Sequence, residues 1–486
     1  MSHDPPVPES RHIVESIWQA AVQAVDSTRL VCQAIRVEGD QLLIAGQMIP
    51  LAALKHIEAV GAGKAGAGMA RGVEEALSVA FFSEKGHPSS EKKATVVSHS
   101  TLTVSLSGWV NVPADCVQPL KSIHLHPARP AGINEPTEAG VAGSEEILRR
   151  VASLGEGDLC LVLISGGGSA LLPAQIEGVS LSDKAATIRR MSLAGAGIDE
   201  LNCVRRQLSR VKGGGLARAC RAQWMITLVI SDVIGDPLEV IASGPTIDFP
   251  PEPQRALELL GRFAPGLEGI PESVVKALRQ QLSNRESTVT FFSENGHPFS
   301  EKKATLQHVS IIGNNQTAVA AAVQAAGERG LEVHVLGVGH AGEAKAIGRD
   351  LADECLRLQP ALAKPLCLIS GGEPVVKVEK RPGPQKGGRN QELALAALCR
   401  LIEQNATGIT ILSGGTDGED GPTDAAGAIA DDAVAQAATR QNLDPQTYLY
   451  DHNSYPFFQQ TGGLLITGPT HTNVMDVRVA LVEPIT

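Results

Sequence analysis

The sequence predicts an α/β protein of two domains. Short apolar runs, such as Cys160–Ile164 and Met225–Ile230, alternate along the chain with segments of helical periodicity, which is the pattern of strands and helices in α/β folds. The runs are apolar at nearly every position, as expected for parallel strands that are buried on both faces of a sheet. With 486 residues the chain can form two or three domains of about 150 residues each.

The first half of the chain contains a series of predicted elements. They are assigned from the spacing of their apolar residues. The assignments are a helix over 10–25, a strand over 57–60, a helix that reaches about Leu77, helices over 142–154 and 180–200, and strands over 160–164 and 225–230.

A proline-rich stretch, Gly244–Pro253, is the best candidate for a domain boundary. It divides the chain into domains of residues 1–250 and 251–486. Beyond it, periodicity predicts a helix over 254–282 and a strand over 307–312, and the alternation of strands and helices then resumes.

The composition excludes several classes of function. The formal net charge is −11 and aromatic residues make up 3% of the chain, which disfavours a nucleic-acid or anionic-membrane partner. No apolar run approaches the roughly 20 residues of a membrane helix, and the first residues lack the pattern of a signal peptide. The eight cysteines are scattered without a Cys-x-x-Cys pair, which favours free thiols in a reducing compartment. We therefore expect a cytoplasmic protein, monomeric or homodimeric, that acts on a small molecule.

An internal repeat occurs once in each half. Residues 81–95 and 291–305 match at thirteen of fifteen positions, whereas the flanking sequences are unrelated. A shared origin as inserted surface loops explains this better than metal binding through His87 and His297, because surface loops tolerate insertions. We expect both segments to be exposed and remote from catalysis.

Three apolar runs end in Ser-Gly-Gly, at Ser165–Gly167, Ser370–Gly372 and Ser413–Gly415. Ligands of open α/β sheets bind at the carboxyl ends of the strands, and glycine there lets backbone N–H groups approach a phosphate closely. The pattern therefore predicts a site for a phosphorylated small molecule.

The loop Gly61–Gly66 follows a predicted strand and matches the dinucleotide-binding pattern G-x-G-x-x-G. The pattern also expects an acidic residue at a strand end about 20 positions later. None can be identified, because the first repeat occupies that region. The loop contains Lys64, a cation that suits an anion bound at a helix start. The alternative is a glycine-rich packing turn in which Lys64 points to water.

Asp232 and Asp236 follow the predicted strand 225–230. Phosphoryl transfer needs carboxylates that hold Mg²⁺ and accept the proton of the attacking hydroxyl. Both aspartates are candidates for these roles, with Asp232 held more firmly because it lies at the end of the strand. Turn formation or helix capping by aspartate is the alternative, more so for Asp236.

Further candidates combine charge with glycine. Lys212 follows a run of arginines and precedes three glycines, which predicts either a phosphate-facing patch or a solvated helix face. Arg389 follows two glycines at the start of a predicted helix, where its positive charge could stabilise a phosphoryl group. Glu373, after the second Ser-Gly-Gly, is a candidate metal or ribose ligand. After the third, Asp417 and the run Asp420–Asp424 add carboxylates.

Together these motifs resemble the glycerate 2-kinase family, whose C-terminal part is called the MOFRL domain. The resemblance runs in order through nearly the whole chain, and the two repeats are its main departures. The matching stretches are Gly61–Gly66, Leu163–Leu172, Leu208–Ala217, Ile230–Thr246, Gly313–Thr317, Ile369–Val376, Gly387–Leu393, Ser413–Gly427 and Leu464–Asp476.

The resemblance implies a Rossmann-like α/β/α domain, a smaller mixed-sheet α/β domain of MOFRL type, and an active site in the cleft between them. It implies Mg²⁺-dependent transfer of the γ-phosphoryl group of ATP to D-glycerate, giving 2-phosphoglycerate and ADP. The residues usually assigned to catalysis in the family fall on Lys64, Asp232 and Arg389.

The candidate residues from the motifs and from the resemblance form two further sets. The substrate- and ATP-binding set is Gly61, Gly63, Ser165, Gly166, Gly167, Gly168, Ser169, Lys212, Asn314, Glu373, Asn390, Glu392 and Asp417. The metal-binding set is Asp232, Asp236 and Glu373.

Two other functions fit parts of the sequence. An NAD(P)-dependent hydroxypyruvate reductase would use Gly61–Gly66, but the missing acidic partner and the many carboxylates suited to Mg²⁺ favour the kinase. A non-catalytic sensor of a sugar acid or phosphate would need the glycines but not Asp232.

Overall fold

The computed structural model describes residues 8–82, 104–130, 132, 135–291, 305–379 and 383–485. The strands are β1 (Ile35–Glu38), β2 (Gln41–Ile44), β3 (Gln47–Pro50), β4 (His56–Ala62), β5 (Ser105–Pro113), β6 (Ile123–Arg129), β7 (Asp158–Ile164), β8 (Trp224–Ile230), β9 (Leu306–Gly313), β10 (Glu332–Glu343), β11 (Leu366–Val375), β12 (Ile409–Gly415), β13 (Gly427–Ala430), β14 (Leu464–Leu465) and β15 (Asp476–Val482). The helices are α1 (Glu9–Ala24), α2 (Ser27–Ala34), α3 (Gly66–Phe82), α4 (Glu138–Ser153), α5 (Gly168–Leu171), α6 (Leu181–Leu193), α7 (Ile198–Gln207), α8 (Gly215–Ala219), α9 (Pro253–Phe263), α10 (Glu272–Phe291), α11 (Asn315–Glu328), α12 (Ala344–Leu358), α13 (Arg389–Glu403), α14 (Asp432–Arg440), α15 (Pro445–Tyr450) and α16 (Ser454–Thr461).

The described residues group into two compact units, each discontinuous in sequence. The parallel-sheet unit comprises the described residues of 31–230 and 237–312, and the mixed-sheet unit comprises those up to Leu30, Ser231–Asp236 and those from Gly313 onward. This grouping differs from a division near residue 250 because α1 packs against α11 and β15, whereas α9 and α10 pack against α7 and α6. The cleft that the family resemblance implies stays a prediction.

The parallel-sheet unit is built on six strands in the order β6-β5-β4-β7-β8-β9. The pairs β6–β5, β5–β4, β4–β7 and β7–β8 are parallel. Counted from β4, this is the 3-2-1-4-5-6 order of the doubly wound Rossmann fold, which confirms the predicted α/β class. Strand β4 continues to β5 on one side and β7 continues to β8 on the other, so the topological switch point lies between β4 and β7.

Helices α6, α7, α9 and α10 of this unit pack around an apolar core of their own. Met191 of α6, Val204 of α7, Leu260 of α9 and Val274 of α10 are among its buried residues. The sequence predicts one helix over 180–200, where the structure has α6 and α7, and one over 254–282, where it has α9 and α10. The break between α6 and α7 contains Gly195, which has a left-handed backbone (φ 85°). The break between α9 and α10 contains Pro265 and Pro271, and proline interrupts a helical hydrogen-bond ladder.

The mixed-sheet unit contains six strands in the order β10-β11-β15-β12-β13-β14. Strands β10 and β11 are parallel, and every other neighbouring pair is antiparallel. Successive residues of a strand face opposite sides of the sheet. Accordingly, the hydroxyl of Ser413 donates to Asn390 Oδ1 of α13 at 2.6 Å, whereas a Cβ on Gly414 would stand 2.8 Å from Trp18 Nε1 of α1. The two helices therefore cover opposite faces.

The second and third Ser-Gly-Gly sequences lie within strands rather than in loops beyond them. Gly371 belongs to β11 and Gly414 to β12, and a side chain at Gly371 would collide with the amide of Asn315 in α11. These glycines let helices approach the sheet closely, so packing explains them without a ligand. Only Ser165–Gly167 forms a loop, between β7 and α5.

Several elements were absent from the sequence prediction. They include the antiparallel three-stranded sheet β1-β2-β3 and the parallel strands β5 and β6. They also include β15, a central strand of the mixed sheet. The repeats at 81–95 and 291–305 fall almost wholly outside the described residues, so their assignment as exposed inserts stays a prediction.

The cysteines and helices bear on two expectations from composition. All eight cysteines are free thiols, six of them buried. None of the helices in the described part of the chain is long and apolar enough to cross a membrane.

The contact between α12 and α13 yields a stability prediction. A Cβ at Gly348 would collide with the carbonyl oxygen of Leu393, so Gly348→Ala should lower the free energy of unfolding by roughly 1–3 kcal/mol. Gly327, in an exposed turn of α11, has nothing within 4 Å of its Cβ position. Gly327→Ala should therefore raise that free energy by roughly 0.5–1 kcal/mol. Urea unfolding measures both, and equal effects of the two substitutions would contradict the predicted close contact.

Candidate active site

The two loops at the switch point of the parallel sheet are joined by direct hydrogen bonds. The backbone N–H of Lys64 donates to the carbonyl of Gly166 at 2.8 Å, and the N–H of Ala65 donates to the hydroxyl of Ser165 at 3.1 Å. The predicted glycine loop and the first Ser-Gly-Gly loop therefore form one structure at the carboxyl ends of β4 and β7. Ligands of doubly wound sheets bind at this location.

The glycines of this structure are required by close approach. Gly63 has φ 153°, and a Cβ there would collide with Ser165 Oγ. A Cβ at Gly61 would collide with the carbonyl of Leu163 on the neighbouring strand. Substitution of either glycine would push the two loops apart, whether or not the residue also contacts a ligand.

Cations surround the tip of the first Ser-Gly-Gly loop. Gly167 adopts a left-handed backbone with φ 76°, and a Cβ there would stand 3.4 Å from Arg129 Nη2 and 3.6 Å from Lys64 Cγ. Arg129 ends β6 and is 4% exposed. Sequence reasoning missed Arg129, because nothing in its own segment relates it to a loop almost 40 residues further along the chain.

Lys212 is directed at helix α5, which directly follows this loop. Its ammonium group donates to the carbonyl and hydroxyl oxygens of Ser169 at 2.9 and 2.5 Å and to the hydroxyl of Ser243 at 3.3 Å. Burial, followed by the charges of Lys184 and Arg205, lowers the pKa of Lys212 well below its usual range. Of the two interpretations offered by the sequence, the structure excludes a solvated helix face, since Lys212 is 4% exposed.

The centre of the mixed-sheet unit is an ion pair between Arg389 and Asp476. Arg389 donates from Nε to Asp476 Oδ2 at 2.7 Å and from Nη2 to Oδ1 at 2.9 Å, and Nη1 donates to Glu373 at 2.8 Å. Burial alone lowers the pKa of Arg389, but the carboxylates, chiefly Asp476, outweigh burial and raise it above its usual value. Three of the five guanidinium N–H groups are thus used, which leaves two for a ligand.

A second buried carboxylate, Asp420, caps the helix that Arg389 begins. It accepts the backbone N–H groups of Asn390 and Gln391 at 3.0 and 2.8 Å, a favourable position for a carboxylate at a helix start. Burial is the main reason that the pKa of Asp420 rises to about 7. Asp420 belongs to the run Asp420–Asp424, which the sequence offered as additional carboxylates, whereas Asp476 had not been assigned a role; both lie in stretches that match the family.

The predicted metal ligands Asp232 and Asp236 are held by amides. Asn473 Nδ2 donates to Asp232 Oδ2 at 3.2 Å, and Asn314 Nδ2 donates to Asp236 Oδ2 at 2.6 Å. These contacts place Ser231–Asp236 in the mixed-sheet unit with Arg389, although the preceding strand β8 belongs to the other unit. Asn314 also caps α11 through its Oδ1, which accepts the N–H of Thr317 at 3.0 Å.

The remaining candidates occupy separate environments. Glu392 is buried, and its carboxyl group shares a hydrogen bond of 2.9 Å with His452 Nδ1. Asp417 Oδ1 accepts the N–H of Glu419 at 3.1 Å. Within the described ranges, no group of three His, Cys, Asp or Glu side chains is arranged to hold a metal ion.

Comparison with known proteins adds to this geometry. Residues 13–279 match the family model described as a domain of unknown function, DUF4147, and residues 366–476 match the MOFRL family. A glycerate kinase of Danio rerio is 35% identical, with 96% of this chain and 97% of that protein covered. The chain belongs to the glycerate 2-kinase family.

Other members of the family agree with this assignment. A glycerate 2-kinase of Pyrococcus horikoshii is 33% identical over 95% of both chains. The crystal structure of a glycerate kinase from Thermotoga maritima superimposes with a TM-score of 0.76 at 32% identity, covering 98% of this chain and 100% of that one. The family resemblance and the α/β class predicted from sequence are thereby confirmed, whereas the individual roles of the site residues stay predictions.

The pKa of Asp420 yields a prediction about the pH dependence of stability. An unfolded aspartate titrates near pH 4. Because the folded pKa is raised to about 7, the carboxyl favours folding below about pH 4, and this contribution is lost as the pH rises through about 7. Asp420→Asn should remove that loss.

The free energy of unfolding of Asp420→Asn, measured relative to wild type, should therefore increase by on the order of 2 kcal/mol between about pH 5 and pH 8. Urea unfolding at both pH values gives this difference. Asp350→Asn, on an exposed position of α12, is the matched control and should follow wild type. A variant of Asp420 that also follows wild type would contradict the shifted pKa.

Proposed function

We propose that this protein is a glycerate 2-kinase that transfers the γ-phosphoryl group of ATP to the 2-hydroxyl group of D-glycerate. The observation that carries the proposal is similarity over almost the full length to proteins named glycerate kinase and glycerate 2-kinase. It is supported by the cation-lined glycine loops at the switch point of a doubly wound sheet, because such loops suit phosphate groups.

In this proposal Lys64 offsets charge that builds on the transferring phosphoryl group. Its side chain lies beside Gly167 in the loop where Ser165–Ser169 would contact phosphate oxygens. Fixed donors aimed at developing charge stabilise a transition state without reorganisation, and they are usually the largest contribution to catalysis.

Arg389 is proposed to bind an anionic group of the reactants, a phosphoryl group or the carboxylate of glycerate, through its two unused N–H groups. Asp476 has no exposed surface and orients the guanidinium group through two hydrogen bonds. The Glu373 side chain is 43% exposed, so it is the partner that an incoming anion would displace at the smaller cost in free energy.

Asp232 is proposed to hold Mg²⁺ or to accept the proton of the attacking hydroxyl. It is a partly buried carboxylate at the end of a strand, and an amide donor orients one of its oxygens. Mg²⁺ in kinases is commonly held by one or two carboxylates together with phosphate oxygens, so this oxygen-donor side chain fits the ion without a cluster of three. The bound ion would neutralise phosphate charge and orient the γ-phosphoryl group.

A two-part assay tests the reaction class. The protein is incubated with D-glycerate, ATP and Mg²⁺, and ³¹P NMR distinguishes 2-phosphoglycerate from 3-phosphoglycerate. In parallel it is incubated with hydroxypyruvate and NADH or NADPH, because the strand order is shared with dinucleotide-binding folds. We expect 2-phosphoglycerate in the first part and no cofactor oxidation in the second. Oxidation without phosphoglycerate would overturn the proposal in favour of a reductase.

Substitutions test the assigned roles. Lys64→Ala and Arg389→Ala should each lower kcat by roughly 10²–10³-fold, the usual effect of removing one well-aimed donor. Asp232→Asn should abolish turnover while ATP and glycerate still bind, which a non-catalytic sensor would not predict. The exposed residues Lys276 and Arg357 provide matched controls, and their alanine variants should retain wild-type rates. Near-normal turnover of Lys64→Ala would refute its role.

A further inference from the structure

The parallel-sheet unit contains a cavity of about 290 Å³, bounded by residues of α7, α8 and α10. Its lining contains three cations, Arg206, Lys212 and Arg218, and no aspartate or glutamate among the described residues. We refer to it as the arginine cavity. Lys64 and the loop Ser165–Gly167 do not line it, so it is separate from the glycine loops at the switch point of the sheet.

A turn of two glycines brings both arginines to this cavity. Gly213 and Gly214 have left-handed backbones, with φ 56° and 77°, which residues with a side chain rarely adopt. A Cβ on Gly213 would stand 3.1 Å from Arg206 Cδ, and one on Gly214 would stand 2.8 Å from Arg218 Nη1. The two arginine side chains therefore pack against successive residues of one turn, in the wall of the same cavity.

The guanidinium group of Arg206 is held by an aromatic ring. Its Cζ lies 4.7 Å from the centre of the Phe249 ring, and the described lining offers it no carboxylate partner. Contact with a ring uses the face of the planar guanidinium group and leaves the N–H groups at its edge, which suit the paired oxygens of a carboxylate or phosphate. Arg206 is half-buried, so its attraction for an anion is screened less than that of a fully exposed arginine.

The other two cations are only partly compensated. Arg218 donates to Asp248 at 2.8 Å, but the Asp248 side chain is 80% exposed, so water and salt screen this pair strongly. Lys212 is buried, and its ammonium group donates to Ser169 and Ser243, which are both neutral. The cavity therefore carries an excess of positive charge, which a bound anion would offset.

The arginine cavity also has apolar residues in its lining, namely Ile176, Phe249 and Pro251. An inorganic anion would gain nothing from them, whereas an organic anion would bury an apolar body against them while its charged group meets the arginines. The volume of the cavity lies near the lower end of the range for small-molecule sites, roughly 300–1,000 Å³. Charge, lining and size together favour a small organic anion.

Hydrogen bonds fix the walls of the cavity. Gln281 Nε2 of α10 donates to the carbonyl of Gln207 on α7 at 3.0 Å, and Gln207 Oε1 accepts the N–H of Glu252 at 3.1 Å. Both glutamines line the cavity. These bonds hold α7 against α10, so the cavity has the preformed walls that are usual for small-molecule sites.

We propose that the arginine cavity binds a small organic anion whose carboxylate or phosphate group contacts Arg206 and Arg218 and whose apolar part contacts the apolar residues of the lining. The inference goes beyond the proposed function, because Lys64, Asp232 and Arg389, the residues assigned to phosphoryl transfer, do not line the cavity. The ligand is therefore bound in addition to the reactants of the kinase.

Calorimetric titration of the full-length protein with four probes tests the proposal. Phenyl phosphate and benzoate combine a charge with an apolar ring, whereas inorganic phosphate has only the charge and benzyl alcohol only the ring. We expect the tighter of the first two to bind at least about tenfold more tightly than either of the others, because a buried ring and a charged hydrogen bond each contribute that much. That probe also identifies the anionic group that the cavity prefers. Inorganic phosphate or benzyl alcohol binding as tightly, or no binding of any probe, would overturn the proposal.

Two substitutions locate the bound probe. Arg206→Met and Arg218→Met should each raise the Kd of the tighter probe at least about tenfold, because each removes hydrogen bonds between charged groups. The Arg218 side chain is 52% exposed, so its variant replaces Arg206→Met if the latter does not fold. Arg279→Met removes the same charge from an exposed position of α10 and should keep the wild-type Kd. Cavity variants that also keep it would refute the site.

Variants of the candidate active site distinguish the arginine cavity from it. Lys64→Ala and Arg389→Ala should keep the wild-type Kd for the probe, since neither residue lines the cavity. A probe that these two variants no longer bind, but that the cavity variants still bind, would occupy the candidate active site and overturn the proposal. The proposed function is tested separately: a protein that binds the probe in the cavity but produces no 2-phosphoglycerate would refute the kinase proposal alone.

Discussion

The buried carboxylate of Asp476 constrains the mixed-sheet unit more than any other group. It has no exposed surface, and a charge in that position is tolerated only with a well-aligned partner. Arg389 provides two parallel hydrogen bonds, so the first residue of α13 is held against the first residue of β15. Asp420 caps the same helix start. The orientation of the guanidinium group, and with it any role in binding an anion, follows from this pairing.

The two units differ in whether their buried cations have acidic partners. In the mixed-sheet unit Arg389 is balanced by Asp476 and Glu373, so an incoming anion must compete with a carboxylate that is already bound. In the parallel-sheet unit Lys184, Arg205 and Lys212 have no acidic partner among the described residues.

The sequence was informative where function depends on neighbouring residues. The loops at Gly61–Gly66 and Ser165–Ser169 were both identified, and the structure joins them at a switch point. At Ser370 and Ser413 the same motif lies within strands, where its glycines allow close helix packing, so the prediction of a ligand at these two positions stays untested. At both positions a Cβ would meet a side chain of a packed helix: Asn315 of α11 at Gly371 and Trp18 of α1 at Gly414.

The sequence by itself determined the α/β class, most of the buried strands and the family, because apolar periodicity and glycine motifs are properties of short segments. Only the tertiary structure decided which charges are paired. Arg389 and Asp476 lie 87 residues apart, and Asp232 meets Asn473 across 241 residues. Such contacts depend on strand order and on burial, and neither leaves a local pattern. For the same reason the sequence could place Lys212 after a run of arginines, but it could not show that Lys212 is buried without an acidic partner among the described residues.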